Sequence, residues 1–285
     1  MIIRHDLRLV FLHVPKCAGK ELRQILRAEA EDKAIESYFN FEYNAKLRRH
    51  VDLAHLPLDD LTHYPAHQLL NNYRVIAATR NPYERLRSAV NEYCRQFSQE
   101  DERIANQAGP TMSARLSYLR EIPIRHGLRD PRYIHSMPMH WFTHYGHQPK
   151  THQLLRCETL KDDFLRLAEN LKLPESMQAL ARHSLQNQRP VEDRDFTAGL
   201  TPGEIAMANL LYQQDFQIFD YPIKVESSLQ AGPLAETLSA LDPLERHSHS
   251  ISLLERASTV EWHWGPISEI PPTGAIPATR SEAPS

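Results

Sequence analysis

Two short stretches of this chain carry residues whose types and spacing could do chemistry. In "VFLHVPKCAGKEL" (residues 10–22) an apolar run stops at Pro15, and Lys16, two small residues, Gly19 and Lys20 follow. Lysines beside a glycine-bearing turn suit an anion. The glycine lets the backbone come close, and the free N–H groups of a helix start point at negative charge with the helix dipole behind them. In "VIAATRNPYERLRSAVNEY" (75–93) a second apolar run ends on Arg80, turns at Asn81-Pro82 and reaches Ser88. The planar guanidinium fork of Arg80 matches phosphate oxygens. Ser88, about two helical turns along, can converge on the same ligand. Arg85 and Arg87 add local positive charge.

Such groups work only if strands and helices hold them. "LRLVFLHV" (7–14) is apolar without strict alternation, as in a strand covered on both faces of a parallel sheet. Leu22, Ile25, Leu26 and Ala30 then recur at helical spacing. "YRVIAAT" (73–79) predicts a second strand and the following "YERLRSAVNEYCRQF" a helix. "HQLLRCE" (152–158) predicts a third strand, leading into the helix "LKDDFLRLAENL". Strands alternating with helices predict an α/β fold, a three-layer arrangement in which a parallel sheet is flanked by helices. "TPGE" (201–204) predicts a helix start with Thr201 as N-cap, Pro202 in the first turn and Glu204 closing a capping box. Residues 98–113 read as a polar loop and 121–140 as irregular.

A nucleotide-triphosphate loop of the form GxxxxGK[ST] does not fit, because Val14 stands where its first glycine belongs and Glu21 where a hydroxyl would ligate magnesium. The first stretch instead resembles the 5′-phosphosulfate loop of sulfotransferases that use 3′-phosphoadenosine 5′-phosphosulfate (PAPS). In the carbohydrate branch that loop reads close to "HIPKTAGTSL", and "HVPKCAGKEL" keeps His13, Pro15, Lys16, Ala18, Gly19 and Leu22. Cys17 replaces a threonine, and Lys20-Glu21 replaces a Thr-Ser pair. The second stretch resembles the 3′-phosphate element of the same family, "R-[ND]-P-x-x-R-x-x-S-x-[YF]". "LLRCETLKDDFLRL" (154–167) is similar to a largely structural strand–turn–helix of these enzymes. "HSLQNQRP" with "LTPGEIAMANLLYQQDFQIFDY" is similar to their C-terminal region.

The resemblance implies a P-loop-like sulfotransferase fold over about 8–222 and transfer of a sulfuryl group from PAPS to an acceptor hydroxyl, with 3′-phosphoadenosine 5′-phosphate (PAP) released. A carbohydrate is the leading acceptor, and no metal is required. Pro15, Lys16, Cys17, Ala18, Gly19 and Lys20 would hold the 5′-phosphosulfate, Arg80 and Ser88 the 3′-phosphate, and Asn187 and Arg189 would close over the cofactor. Lys16 would act at the sulfuryl centre, with Lys20 standing in for the lost hydroxyls. A base should take the acceptor proton. Among sixteen histidines, His55 in "HVDLAHLPL" is the first choice and His50 the second, while His135 is expected to line the acceptor cleft. Tyr133, Trp141, Phe142 and Tyr145 suit either sugar stacking or core packing. Two other readings stay open: a small-molecule kinase, and a non-catalytic PAP-binding protein on a decayed sulfotransferase fold.

The whole chain sets bounds on this. Its 285 residues carry a formal net charge of −3, which offers no general attraction to nucleic acid or to an anionic membrane. No window has about eighteen uncharged apolar residues, and the charged N-terminal decapeptide is expected to be neither signal peptide nor anchor. Cys17, Cys94 and Cys157 lie far apart and make no zinc spacing, which fits a reducing cytoplasm. Residues 1–224 are expected to form the sulfotransferase domain. Residues 225–285 read as an appendage, disordered from about 270 where Pro, Ser and Thr dominate. No feature of the sequence fixes an oligomeric state.

Overall fold

The computed structural model describes residues 1–97, 112–146, 148–186 and 195–224. In chain order the strands are β1 (Ile2–Arg4), β2 (Leu9–Leu12), β3 (Ile35–Ser37), β4 (Phe41–Asn44), β5 (Arg49–Asp52), β6 (Arg74–Thr79), β7 (His144–Tyr145), β8 (Gln148–Pro149) and β9 (Gln153–Arg156). Five of them form the central sheet in the order β3-β1-β2-β6-β9. The predicted strands β2, β6 and β9 are its parallel half, with Leu12 opposite Ala77 and Thr79 opposite Arg156. Every residue of β2 is buried, which is why its apolar positions do not alternate.

The N-terminal edge differs from expectation. β1 runs antiparallel to both β2 and β3, so the sheet is mostly rather than wholly parallel. The charged stretch His5–Arg8 forms the turn of the β1–β2 hairpin, in which Arg8 takes a left-handed backbone (φ 47°). Arg4 is buried because its guanidinium is satisfied. It donates to the Leu26 and Ala28 carbonyls at 2.7 and 3.3 Å and pairs with Asp6 at 2.6 Å. A cation is thereby set against the carboxyl end of the helix that follows β2.

Helices cover the sheet: α1 (Gly19–Leu26), α2 (Pro82–Phe97), α3 (Met112–Gly127), α4 (Leu160–Leu171), α5 (Glu175–Ser184), α6 (Pro202–Leu211) and α7 (Gln213–Ile218), with single turns at Leu58–Leu61 and His140–Thr143. The reading of 121–140 as irregular needs correction, since α3 runs through Pro123 to Gly127 and a 3-10 helix spans Pro131–Ser136. Tertiary packing overrides the proline: Tyr118, Leu119 and Ile122 are buried, and Tyr118 stacks on Tyr133 with centroids 4.7 Å apart and planes within 6°. The capping box opens α6 as predicted, with Glu204 N donating to Thr201 Oγ1 at 3.3 Å and Thr201 N to Glu204 Oε2 at 2.8 Å. Asn187, Arg189 and the 225–285 appendage lie outside the described residues.

Candidate active site

β2 and β6 are neighbours and parallel, so the two motifs leave the sheet side by side at its carboxyl edge, where ligands of open α/β sheets bind. The edge opens into a cleft of about 400 Å³. From the first turn it is lined by His13, Lys16, Ala18, Gly19, Lys20 and Glu21, with Arg23 one helical turn further on. Arg80 and Ser88 come from the second junction, Cys157 from the end of β9, and His55 and His135 from the connecting segments.

The first turn is shaped for an anion. Lys16 and Ala18 both take left-handed backbone (φ 63° and 53°), with Cys17 between them outside that region. Such alternation points successive N–H groups toward one concavity. Ala18 is also the N-cap of α1 and supplies no side-chain acceptor, so the first-turn N–H groups of α1 have no side-chain cap. Each left-handed non-glycine residue costs about 1–2 kcal/mol, a strain typical of ligand-binding turns. Gly19 is required by contact as well: a Cβ there would lie 1.6 Å from His13 Nε2.

The second junction is fixed from behind. Asn81 is fully buried; its Oδ1 accepts from Tyr83 N at 3.0 Å and caps α2, while its own N–H donates to Glu158 Oε1 at 2.7 Å. Glu158 Oε2 in turn accepts from the Tyr221 hydroxyl at 3.0 Å. The Glu158 and Tyr221 side chains therefore hold the Arg80 turn rather than face a ligand. Arg80 reaches Glu84 Oε2 at 3.3 Å, which aims the guanidinium along the cleft wall. Arg85 is not a spare surface charge. It is buried, and it donates to the Pro15 carbonyl at 3.0 Å and to the Met137 carbonyl, tying α2 to the first turn. Arg87 likewise is spent on the Ala198 carbonyl and Glu84.

Three imidazoles gather at the cleft's inner end. The His13 and His55 centroids are 4.1 Å apart, and those of His55 and His135 are 5.4 Å apart. His55 Nδ1 lies 3.0 Å from the His13 carbonyl. A carbonyl can only accept, so Nδ1 carries the proton and Nε2 the lone pair. Burial pushes His55 down to about 3 and, together with the charge His55 would carry, His135 to about 3, so both rings are neutral at neutral pH. Asp52 and His55 do not form a dyad. The Asp52 carboxylate accepts from Ala54 N at 2.8 Å and caps the turn that presents His55.

Of the sequence-predicted residues, Lys16, Ala18, Gly19, Lys20, His55, Arg80, Ser88 and His135 meet at this cleft. Pro15 and Cys17 do not line it: the Pro15 carbonyl accepts from Arg85, and Cys17 is buried with its sulfur 3.9 Å from Met139 Sδ. His50 sits apart on β5 against the Tyr43 ring, at 5.2 Å. Tyr133 and Phe142 are core residues, and the Tyr145 hydroxyl donates to the Leu58 carbonyl at 2.7 Å, so packing accounts for these aromatics. Sequence reasoning missed Arg23, though its spacing of three from Lys20 was a usable signal. It also left out Glu92, whose Oε2 lies 3.3 Å from Lys16 Nζ. Among the described residues no group of three or more His, Cys, Asp or Glu is arranged to hold a metal ion.

Residues 1–222 match a family model described as the sulfotransferase family. No curated protein and no solved structure matches.

Proposed function

The chain belongs to the sulfotransferase family, and from that premise we propose that it transfers a sulfuryl group from PAPS to a hydroxyl of a carbohydrate acceptor. The carrying observation is convergence: an uncapped helix start with its lysine and a strand-ending arginine with its serine share one cleft. The donor set suits the two phosphate ends of PAPS, with N–H groups and Lys16 at one and Arg80 and Ser88 at the other. When bound, PAPS supplies an activated sulfuryl group on a phosphate leaving group.

The chain's own residues then have separable tasks. Lys16 neutralises charge developing on the departing phosphate, and the fixed N–H groups of the turn need no reorganisation to do the same. Arg80 and Ser88 fix the far end, so the near end cannot drift from line. Lys20, exposed on the first turn of α1, adds charge where related loops carry hydroxyls. His55 accepts the acceptor's proton on Nε2, the nitrogen its bond to the His13 carbonyl leaves basic. The bond to the His13 carbonyl raises the proton affinity of that ring, offsetting part of what burial removes, while the positive charges of Lys16 and Arg23 lower it further. His135 lines the acceptor side. We place the enzyme in the cytoplasm. Its three cysteines are buried free thiols, and no described helix is long and apolar enough to cross a membrane.

The test is transfer of radiolabel from PAPS to a panel of neutral and acidic saccharides without added metal. Labelled saccharide and PAP should appear together, and Lys16→Ala should lower the rate by about 100-fold or more. Label that never leaves PAPS, or a Lys16→Ala variant as active as wild type, would contradict the proposal.

A further inference from the structure

Helix α2 turns one face to the anion-binding turn. Arg85, Ser88 and Glu92, spaced i, i+3 and i+7, lie along that face. Arg85 holds the Pro15 carbonyl at 3.0 Å, Ser88 lines the cleft, and Glu92 Oε2 meets Lys16 Nζ at 3.3 Å. The first two contacts favour an anion in the turn. The third opposes one, because it sets a carboxylate beside the cleft and occupies the lysine that the proposed reaction needs. Both side chains of this pair are largely withdrawn from water, at 23% and 19% exposure, so solvent screens it only in part.

Glu92 is also anchored independently of Lys16. Its other oxygen accepts from Arg95 Nη2 and, at 2.5 Å, from Gln96 Nε2. The carboxylate therefore keeps its place and charge when the lysine leaves. Among the described residues Lys16 Nζ has no second hydrogen-bond partner, and its left-handed backbone holds only the root of a flexible side chain. The partner that moves is the lysine.

Resting on the functional reading above, we propose that Glu92 is a positioning residue, a fixed counter-ion that holds Lys16 between turnovers, yields it to the phosphosulfate group of the donor, and recovers it as PAP leaves. Binding then exchanges one ion pair for another, and the carboxylate, by competing for Lys16, weakens the hold on product. No bond is made or broken in the exchange.

The test is a calorimetric cycle with PAP on wild type, Glu92→Gln, Lys16→Ala and the double variant, each checked for an unchanged melting curve. Glu92→Gln should bind PAP about three- to tenfold more tightly, the loss of one partly buried pair. That gain should vanish on the Lys16→Ala background. Glu92→Asp, which keeps the charge but withdraws it by one methylene, should fall between glutamine and wild type. A second readout uses no nucleotide: an amine-reactive reagent should modify Lys16 faster in Glu92→Gln than in wild type. Unchanged or weaker PAP binding by a folded Glu92→Gln overturns the proposal, as does a gain that persists without Lys16, which would be repulsion alone. A wild type that ignores PAP while Lys16 labelling still quickens would remove the functional reading and leave only the resting pair.

Discussion

At the scale of single residues, the groups legible in the sequence were those whose role is local. Lys16, Gly19, Arg80 and Ser88 could be placed because a strand–turn–helix junction fixes where its own side chains point, and all four line one cleft. Residues whose role depends on a distant partner were not legible. Arg85 reads as surface charge until its bond to Pro15, seventy positions away, is seen. His13 reads as the end of a strand until its ring is found wedged between Phe11 and His55 and against Gly19. That wedge makes a sharp prediction. In Gly19→Ala the added methyl meets His13 Nε2, and a ring held by its neighbours has little room to yield. Destabilisation of about 1–3 kcal/mol is expected in thermal or urea unfolding, together with loss of PAP binding. Adding His13→Ala should recover stability. If the double variant were no more stable than Gly19→Ala alone, the contact would not be the cause.

At the scale of elements, the three central strands and the helices behind them were readable because apolar period and turn chemistry agreed. The hairpin of β1 was not, since Arg4 is charged and its burial depends on the Leu26 and Ala28 carbonyls of an element not yet folded when the sequence is read. The continuation of α3 through Pro123 was hidden for a related reason: three buried side chains from its own face outweigh one missing donor. Local rules predicted best at the start of α6, where Thr201 and Glu204 complete their reciprocal bonds. Glu204 also meets Arg115 Nε at 2.9 Å, so the cap pins α6 to α3. Thr201→Ala should cost about 1 kcal/mol and lower the melting temperature by about 2–4 °C, with PAP affinity unchanged because neither Thr201 nor Glu204 lines the cleft. A variant as stable as wild type would show the cap to be idle.

At the scale of the whole molecule, the buried imidazoles set an acid limit. Burial holds His55, His126 and His135 near 3, against an ordinary value of 6.5. Between those values the unfolded chain binds protons that the folded chain refuses, so stability falls as pH drops below about 6.5. Each such histidine adds a slope of up to about 1.4 kcal/mol per pH unit. Asp52 works the other way, since burial raises its carboxyl, but it is one group against six, because burial also lowers His13, His50 and His144. Urea midpoints should therefore fall steadily from pH 7 to pH 5, and His126→Gln, away from the cleft, should flatten the slope by about one proton. A midpoint indifferent to pH across that range would mean these rings are protonated in the fold.

The same packing brings two sequence-distant motifs to one edge of one sheet, and the functional reading depends on that convergence. The most direct test is calorimetric titration with PAP, without metal, of wild type and Arg80→Ala, with ADP plus magnesium as the comparison. The account predicts metal-independent binding of PAP, weakened at least about tenfold in Arg80→Ala, and no preference for ADP with magnesium. A chain that ignores PAP, or that prefers ADP with magnesium and is indifferent to Arg80, would contradict it.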